Sequence, residues 1–513
     1  MGSLSLTPAF SQRAFVSPDP LLVFGRGQKS GDQRMGLALY GPAPLVAGPR
    51  EDAPIELSVG IVGTGTSISS TNAWMRSVSS EVYCRSKKGV TSYFPGLNAD
   101  SPLRTSLRTD PRIQIILSTS EVAEAVAPKD YGERIDKVTA LFARSFKALS
   151  SSDPAPQVVL CPLPDQVIER CVTGLDRFGR YRSPKRLAPL PRGHQSSLYD
   201  FLPDIGGIEA EAAAVDHYGN LWRALKIEAM RVGLPLQVIW SRTLEQGVGV
   251  QNSAVVAWNL FSGLYYKVKG RLWHLPVQST TTCYIGLSFY HERTSENDRL
   301  NCSMAQIFSD SGDGLVFRGG ALARRSEMGL TPRLDAHSAK SLVSQSLSLY
   351  HTRMQGVYPA RVVVHKSSRF SLEEREGIES AITEAGIKLF DMVAIEPGST
   401  YQYYRLGRYP PLRGTSIRMP DGRWLIYTRG YVPINHTYSG PATPSPLAVL
   451  EHFGESSTDQ VLSDIMGLTR LNWNSTDHSC LLPVTLASSK RVGSVLSEYR
   501  AEGEPGTQLK FYM

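Results

Sequence analysis

The stretch "RVVVHKSSRF", residues 361–370, decides the fold class, because a run of valines predicts a buried strand that ends abruptly in polar residues. The next stretch, "SLEEREGIESAITEAG" (371–386), has helical spacing, with Ser371 as N-cap and Glu374 completing a capping box. A buried strand that passes directly into a helix is typical of α/β folds. Functional sites in such folds form beyond the carboxyl ends of strands, which places His365 to Ser368 where a site is expected.

The polar residues at these strand ends lack the ligands of a metal-dependent nuclease. Such an enzyme needs acidic side chains that hold two ions ~4 Å apart. The valine strand ends in Lys366 and Ser367, and "IGLSFY" (285–290) places Ser288 at the exposed end of a second strand. A C-terminal helix begins near Lys490. No carboxylate cluster emerges from these three places, so the sequence predicts that two-metal chemistry is absent there.

Strands and helices alternate along both halves of the chain. Residues 55–65, 157–164 and 234–240 read as strands of the first half, and helical spacing covers 130–150 and 209–233. The pattern restarts after Pro276. We therefore expect a flexible tail over residues 1–20, one α/β domain over 21–275 and a second over 276–513.

Composition is that of an ordinary globular protein, with 513 residues, 41% hydrophobic and 20% charged. The six cysteines are scattered without a C-x-x-C pair, so neither a zinc site nor a disulfide framework is predicted. We expect a cytoplasmic protein, because no signal peptide and no apolar run of ~18 residues is present. The net charge of +8 is compatible with a polyanionic partner.

Two basic segments are candidates for contact with nucleic acid. The loop 177–195 is Pro-rich and basic, and it reads either as a solvated surface or as a contact with a phosphate backbone or a partner. The segment 401–430 mixes six arginines with tyrosines and Trp424. It suits a nucleic-acid channel formed by Arg405, Arg408 and Arg413, or else a β-hairpin with core aromatics and solvated arginines.

A possible anion anchor lies near the end of the first half. Trp222 and Lys226 are four residues apart and share a helix face, Gln237 is on the next strand, and Lys267 and Lys269 follow the next helix. Lysines and an amide that converge at α/β loop ends can bind a terminal phosphate. Spacing alone also allows ordinary surface lysines.

The chain resembles a short prokaryotic Argonaute, which consists of MID and PIWI domains without the N and PAZ domains. The resemblance runs from about residue 21 to the C-terminus, over eight motifs in order. They are "LLVFGRG", "GLALYGP", "VGIVGT", "NLFSGLYYKVKGRLWHLP", "YIGLSFY", "ARVVVHKSSRFSLEE", "LIYTRGYVP" and "GLTRLNWNS…LLPVTLASSKRVG". It implies a Rossmann-like MID domain followed by a ribonuclease H-like PIWI domain.

The resemblance also identifies the strand ends with the acidic tetrad of cleaving Argonautes. The I-G-(I/V)-D strand of the family reads "IGLS" here, and its H-R-D strand reads "HKS". The aspartates are therefore replaced by Ser288 and Ser367, and the final acidic or histidine position is Lys490. The position of the glutamate finger stays unassigned. The resemblance thus implies a chain without nuclease activity of its own.

In the family, the MID domain binds the 5′-phosphate of the guide with residues that match Trp222, Lys226, Gln237 and Lys267. Trp222 stands where Tyr or His is usual, and a further lysine of long Argonautes is replaced by Gly263. The C-terminal carboxylate of relatives reaches this pocket, sometimes through a metal ion. The resemblance therefore implies a contribution from the carboxylate of Met513, with one Mg²⁺ at the pocket.

The implied function is that of a guide- and target-binding subunit in prokaryotic defence. The chain would load a small 5′-phosphorylated guide RNA, pair it with invading single-stranded DNA, and activate a partner that carries an APAZ region and an effector. The effector would be a sirtuin-like or TIR NAD-hydrolase, or a nuclease, and it would become an active oligomer. The alternatives are a guide-directed endonuclease with an unconventional acidic site and a purely structural partner of the effector.

Overall fold

The computed structural model describes residues 14–44, 53–85, 91–172, 220–245, 252–276, 281–294, 297–308, 314–321, 333–399, 401–433, 443–499 and 505–513. The strands are β1 Ala14–Val16, β2 Leu22–Val23, β3 Lys29–Ser30, β4 Ile55–Thr64, β5 Val82–Arg85, β6 Thr91–Phe94, β7 Thr105–Arg108, β8 Gln114–Leu117, β9 Val158–Leu163, β10 Leu236–Trp240, β11 Thr282–Thr294, β12 Asn297–Phe308, β13 Gly314–Ala321, β14 Arg361–Lys366, β15 Leu389–Glu396, β16 Thr415–Arg418, β17 Trp424–Ile426 and β18 Leu447–Gly454.

The helices pack on these strands from the loops between them. They are α1 Gln33–Tyr40, α2 Gly65–Ser77, α3 Thr119–Ala125, α4 Tyr131–Ser150, α5 Asp165–Cys171, α6 Leu221–Arg231, α7 Ser241–Leu244, α8 Ser253–Lys269, α9 Ala336–Arg353, α10 Leu372–Glu384, α11 Thr458–Leu468 and α12 Val484–Leu496. Within the described ranges, none of the helices combines the length and apolarity that a membrane crossing needs.

The first half is built on a parallel sheet in the order β10-β9-β4-β7, with β8 also paired to β4. Its central strand β4 is apolar and mostly buried, as is usual for a strand covered on both faces. The long helix α4 begins at Asp130, whose carboxylate accepts the Glu133 amide, and it buries an apolar stripe that includes Phe142 and Phe146. This is the expected Rossmann-like arrangement.

The second half is a nine-stranded mixed sheet in the order β1-β16-β17-β18-β15-β14-β11-β12-β13. The strand predicted from the valine run in "RVVVHKSSRF" is β14, which is buried throughout and lies parallel between β11 and β15. Helix α10 follows it with the predicted capping box of Ser371 and Glu374. The α/β architecture and the two-part order predicted from sequence are confirmed.

The start of the chain departs from the prediction of a tail over residues 1–20. Residues 14–16 form β1, which pairs antiparallel with Thr415–Ile417 at the edge of the nine-stranded sheet. Asp19 is bound by the buried side chains of Arg413 and Arg470. A division of the chain at residue 276 therefore separates the two sheets except for this strand, which belongs to the second sheet.

Candidate functional site

A pocket opens where the carboxyl end of the parallel sheet meets the C-terminal helix of the second half. It is lined by the start of α6, by strand β10 and by residues contributed from far along the chain. The polar and charged side chains in its wall are Lys226, Gln237, Thr243, Asn474 and Arg491. Trp222, Trp240 and Met513 are among the apolar residues of its wall.

Helix α6 carries the first cation into this pocket. The helix begins at Asn220, whose side chain accepts the backbone N–H of Arg223, and one face then holds Trp222 and Lys226. The Nζ atom of Lys226 donates to the carbonyl oxygen of Tyr512 at 3.0 Å. The C-terminal segment of the chain is thereby held against the first half.

Lys267 is the second cation, and its side chain is fully buried at the end of α8. Its Nζ atom donates to Gln237 Oε1 at 2.9 Å and to Asn474 Oδ1 at 3.1 Å. Both acceptors are neutral amides. Among the described residues, no carboxylate directly contacts the buried ammonium group to balance its positive charge. Such a charge is costly to bury unless an anion is added.

The electrostatics of the pocket favour an anion. Burial lowers the pKa of Lys226 well below its usual value, and the charges of Arg491 and Lys267 lower it further. Burial and the charge of Arg491 lower the pKa of Lys267 to about 7. No Asp or Glu side chain is among the described residues that line the pocket. A phosphate bound in the pocket would favour the charged forms of Lys226, which lines it, and of Lys267, which lies behind Gln237 and Asn474.

The structure brings the predicted anchor residues together. Trp222, Lys226, Gln237 and Met513 line one pocket, and Lys267 contacts it through Gln237. The indole Nε1 of Trp222 is buried without a hydrogen-bond partner among the described residues. The roles of these five residues in binding a guide stay predictions.

Asn474 and Arg491 also belong to the pocket but were not singled out from sequence. Asn474 bonds a lysine that is 207 residues away in the chain, and Arg491 lies on α12 in the second half. No local spacing links such residues to α6 or α8. The only sequence signal was that both fall within motifs that carried the family resemblance.

Gly263, which stands where long Argonautes have a lysine, is crowded by the acceptors of Lys267. A Cβ atom at this position would lie 3.1 Å from Gln237 Oε1 and 3.3 Å from Asn474 Oδ1. Those distances are tighter than ordinary van der Waals contact. A Cβ atom here would require the two amides that accept from Lys267 to shift by a few tenths of an ångström.

One Mg²⁺ at the pocket stays a prediction. Mg²⁺ prefers octahedral oxygen ligands and is usually bound by one or two carboxylates together with waters and substrate phosphates. The side-chain oxygens of Gln237 and Asn474 already accept hydrogen bonds from Lys267, and Lys226 and Arg491 add positive charge. The carboxylate of Met513 and the phosphate of a guide would be the ligands left for such an ion.

The three positions that the resemblance assigns to the tetrad lie in the second half of the chain. Strands β11 and β14 are parallel neighbours in a register that pairs Leu287 with Lys366, so Ser288 and Ser367 follow at the same edge. Ser288 is buried and Ser367 is half-buried. Lys490 lies on α12, which packs on β11, and burial lowers its pKa. Among the described residues, no group of three or more His, Cys, Asp and Glu side chains is arranged to hold a metal ion.

A carboxylate that follows β14 is fully engaged by a structural ion pair. Lys366 Nζ lies 2.6 Å from both carboxylate oxygens of Glu374, and both side chains are buried. Glu374 also accepts the backbone N–H groups of Leu334 and Ser371. Glu374 therefore holds β14, α10 and the start of α9 together, and its oxygens are occupied by these donors.

The arginines predicted for a nucleic-acid channel separate into two groups. Arg405 and Arg408 are exposed on the segment after β15, beside the exposed side chains of Tyr404 and Leu406. Arg413 is buried and donates to Asp19, to the carbonyl oxygens of Thr428 and Met466, and to Thr469 Oγ1. The expectation for Arg413 is wrong, because its donors are used in stabilising the fold.

The hairpin interpretation of residues 401–430 is confirmed for β16 and β17, which pair antiparallel. Tyr427, directly after β17, is fully buried, as expected for a core aromatic. The basic loop 177–195 lies outside the described residues.

Arg408→Ala is expected to flatten the salt dependence of nucleic-acid binding. If its exposed guanidinium contacts a phosphate, the log–log slope of affinity against salt should fall by about one unit or slightly less. Lys388→Ala is the matched control, because this exposed lysine precedes β15 at the opposite end of the strand. Equal slopes for both variants and the wild-type chain would remove Arg408 from the channel.

Solved structures of Argonaute and Piwi proteins have a fold similar to this one. The chain aligns with Clostridium butyricum Argonaute bound to a guide DNA and a 19-mer target DNA, with a TM-score of 0.59 and 15% identity over 96% of this chain and 54% of that one. Drosophila Piwi gives a TM-score of 0.60 and 11% identity over 97% and 56%. A. aeolicus Argonaute gives 0.56 and 14% over 96% and 54%.

These similarities establish the fold. The chain has the MID–PIWI architecture of Argonaute proteins, with a Rossmann-like first half and a ribonuclease H-like second half. It spans about half the length of the Argonaute structures that it matches. No protein-family model and no curated protein sequence matches the chain.

Proposed function

We propose that this chain is a guide-binding, catalytically inactive short Argonaute. It loads a small 5′-phosphorylated guide RNA and uses it to recognise invading single-stranded DNA in prokaryotic defence. A cytoplasmic partner with an APAZ region carries the effector, which is a sirtuin-like or TIR NAD-hydrolase or a nuclease. Recognition of the target activates that effector as an oligomer.

The observation that carries the proposal is the cationic pocket. Lys226 and Arg491 line it, Lys267 lies behind the wall residues Gln237 and Asn474, and the described lining contains no acidic side chain. A terminal phosphate carries more negative charge than an internal diester and has additional acceptor oxygens. The three cations would bind it as charged donors, and the amide of Gln237 would supply a directed contact.

Two tryptophans provide a place for the first base beside the phosphate. Trp222 and Trp240 both line the pocket, and their flat faces can stack on a base of any sequence. The indole Nε1 of Trp240 donates to Asp165 at 2.5 Å, and the guanidinium of Arg242 lies 5.3 Å from its ring. These contacts fix the orientation of Trp240 before a ligand arrives.

The second half supports a role in recognition rather than cleavage. Ser288, Ser367 and Lys490 replace acidic groups, and two serines and a cation do not hold two divalent ions. Activation of the effector then follows from linkage: the guide–target duplex must bind the active state of the complex more tightly than the resting state.

The test is the preference of the wild-type chain for 5′-phosphate over 5′-hydroxyl guides of one sequence, measured as a function of pH. In the empty pocket the pKa of Lys267 is about 7, so the lysine is mostly neutral above that pH. A bound phosphate favours the charged lysine, and binding must then take up a proton. The preference should therefore fall as the pH rises from 7 to 9.

At lower pH the titration of the guide's 5′-phosphate also affects the preference. The phosphate itself has a second pKa of about 6, and below it the guide loses part of its charge. The preference should be largest between about pH 6 and 7. A chain that binds both guides equally well across this range has no anchor, and the proposal fails.

Nuclease activity is expected to be absent from the purified chain. Guide-loaded protein incubated with matched DNA or RNA and Mg²⁺ or Mn²⁺ should leave both strands intact. This assay also decides the alternative of an endonuclease with an unconventional acidic site. Cleavage at one fixed position that is lost on mutation of an acidic residue of this chain would establish that alternative.

A further inference from the structure

The loop between α11 and α12, residues 469–480, carries Asn474 into the pocket. Its two ends are joined by the hydrogen bond from the Cys480 amide to the Thr469 carbonyl at 3.0 Å. Asn474 is oriented by its own backbone N–H, which donates to Asn472 Oδ1 at 3.2 Å. The side-chain oxygen then accepts from Lys267. The position of the Lys267 ammonium therefore depends on the position of this loop.

One side of loop 469–480 is held by tryptophans. Trp473 Nε1 donates to the carbonyl oxygen of Trp273 at 2.8 Å, and Trp273 Nε1 donates to the carbonyl oxygen of Arg470 at 2.9 Å. The ring of Trp473 also stacks on Tyr266, directly before Lys267 in α8. These contacts join the loop to the helix that presents the lysine.

The other side is held by residues 19–34, near the start of the chain. Arg470 is fully buried and donates to Asp19 Oδ2 at 2.6 Å, to the carbonyl oxygen of Gly31 at 2.6 Å and to Gln33 Oε1 at 2.9 Å. Gln33 Nε2 returns two hydrogen bonds to the carbonyl oxygens of Asp477 and His478.

The carboxylate of Asp19 is charged at any ordinary pH. Burial alone would raise its pKa, but the hydrogen bond with His478 and the charges of Arg413 and Arg470 hold the pKa well below its usual range. The Asp19–Arg470 contact is thus a permanent ion pair between the N-terminal segment and the loop. Breaking it would leave Arg470 buried with less compensation.

We propose that Asn474 and the Asp19–Arg470 ion pair are positioning residues of the pocket, through which residues 19–34 hold Lys267 in place for the guide's 5′-phosphate. This rests on the proposed function of the pocket. Lysine is flexible, and each of its three N–H donors must be directed by an acceptor. Asn474 is one of two acceptors that the structure provides, and it acts only while its loop is fixed.

The experiment measures the ratio of affinities for 5′-phosphate and 5′-hydroxyl guides in four chains: wild type, Asn474→Ala, Asp19→Asn and Asp464→Asn. Asp464→Asn is the matched control, because Asp464 pairs with the buried Arg361 at 2.7 Å and neither residue bonds Lys267 or Asn474. Both Asp→Asn changes remove one carboxylate charge from a buried arginine. Thermal unfolding of each chain reports any general loss of stability.

Asn474→Ala should reduce the affinity ratio by about 10- to 100-fold, as expected for the loss of a hydrogen bond to a charged group. Asp19→Asn should reduce it by about 2- to 30-fold, since it acts through the loop. Asp464→Asn should leave the ratio unchanged. Arg34→Ala is a milder test of the contact between residues 19–34 and the loop. It removes only the contacts of the Arg34 side chain with Thr476 and Asp477.

The pH profile separates positioning from a general structural effect. An acceptor that bonds the ammonium favours the charged form of Lys267, whose other charged neighbours are Lys226 and Arg491. Without Asn474 the phosphate preference should fade at a lower pH than in the wild type. Asn474→Asp should instead retain a charged lysine to higher pH.

Amide hydrogen exchange provides a readout that needs no guide. Residues 469–480 should exchange faster in Asp19→Asn than in the wild type or in Asp464→Asn. The inference would be overturned if Asn474→Ala and Asp19→Asn both kept the phosphate preference of the wild type. It would also be overturned if residues 469–480 exchanged at the same rate in all chains. Failure of the proposed function is distinct, because it appears in the wild-type chain alone as equal binding of the two guides.

Discussion

Lys267→Ala is expected to lose about 30-fold to several thousandfold of its affinity for a 5′-phosphorylated guide, while its affinity for the 5′-hydroxyl guide changes little. Removal of one charged partner from a desolvated pair costs about 2–5 kcal/mol, and each factor of ten corresponds to ~1.4 kcal/mol. Lys267 is fully buried and lies beside two other cationic groups, so the solvent cannot replace its charge. Lys226→Ala should behave in the same way.

The matched control for this measurement is Lys269→Ala. Lys269 lies in the same last turn of α8 and is half-buried, whereas Lys267 is buried and donates to Gln237 and Asn474 in the pocket wall. Removal of Lys269 changes the net charge equally but should preserve the phosphate preference. The titrations should be run with and without EDTA, because this comparison tests the prediction of one Mg²⁺ at the pocket. If Lys267→Ala and Lys269→Ala lost the phosphate preference equally, the preference would come from general electrostatic attraction and not from the pocket.

Glu374→Gln is expected to lower the free energy of unfolding of the second half by about 3–5 kcal/mol. The change leaves the charge of Lys366 buried without its carboxylate, although the amide oxygen can still accept one of the backbone N–H groups. Denaturant unfolding followed by a probe in the second half measures the shift. A double variant that combines Lys366→Met with Glu374→Leu should regain part of the lost free energy of unfolding, because neither charge of the pair then remains buried.

The exposed ion pair of Lys340 with Glu384 gives the control for this second prediction. Its two groups are 2.5 Å apart but both are exposed to solvent. Glu384→Gln makes the same chemical change and should cost less than about 1 kcal/mol. Similar losses for the two Glu→Gln variants would show that the Lys366–Glu374 pair contributes no more than a surface pair.

The strand β14 and the helix α10 were predictable because each carries its own signal. A run of valines specifies a buried strand, and Ser371 with Glu374 specifies where the helix begins. The cluster of Trp222, Lys226 and Gln237 was predictable for a related reason, since α6 and β10 are consecutive in the chain. The residues alone left Lys267 and Lys269 as equal candidates, and the family resemblance then selected Lys267 and added Met513.

Other parts depend on contacts between residues that are distant in sequence. Arg413 lies among tyrosines and exposed arginines, yet its carboxylate partner Asp19 is 394 residues away. Residues 14–19 are structured rather than part of a tail for a similar reason. Ala14–Val16 pair with β16, and Asp19 accepts from Arg413. Asn474 and Arg491 reach the pocket from the second half only after the two halves pack together. Local spacing does not encode such contacts, so they become visible only in three dimensions.

The position of Met513 has a practical consequence for experiments with fusion proteins. Its side chain is almost fully buried and lines the cationic pocket, and the preceding carbonyl of Tyr512 accepts from Lys226. A peptide appended to Met513 would start at the pocket wall, next to the carbonyl oxygen that accepts from Lys226. An affinity tag at this end would therefore change the surroundings of the pocket whose ligand binding is to be measured. For purification and immobilisation, attachment to an exposed surface position is preferable.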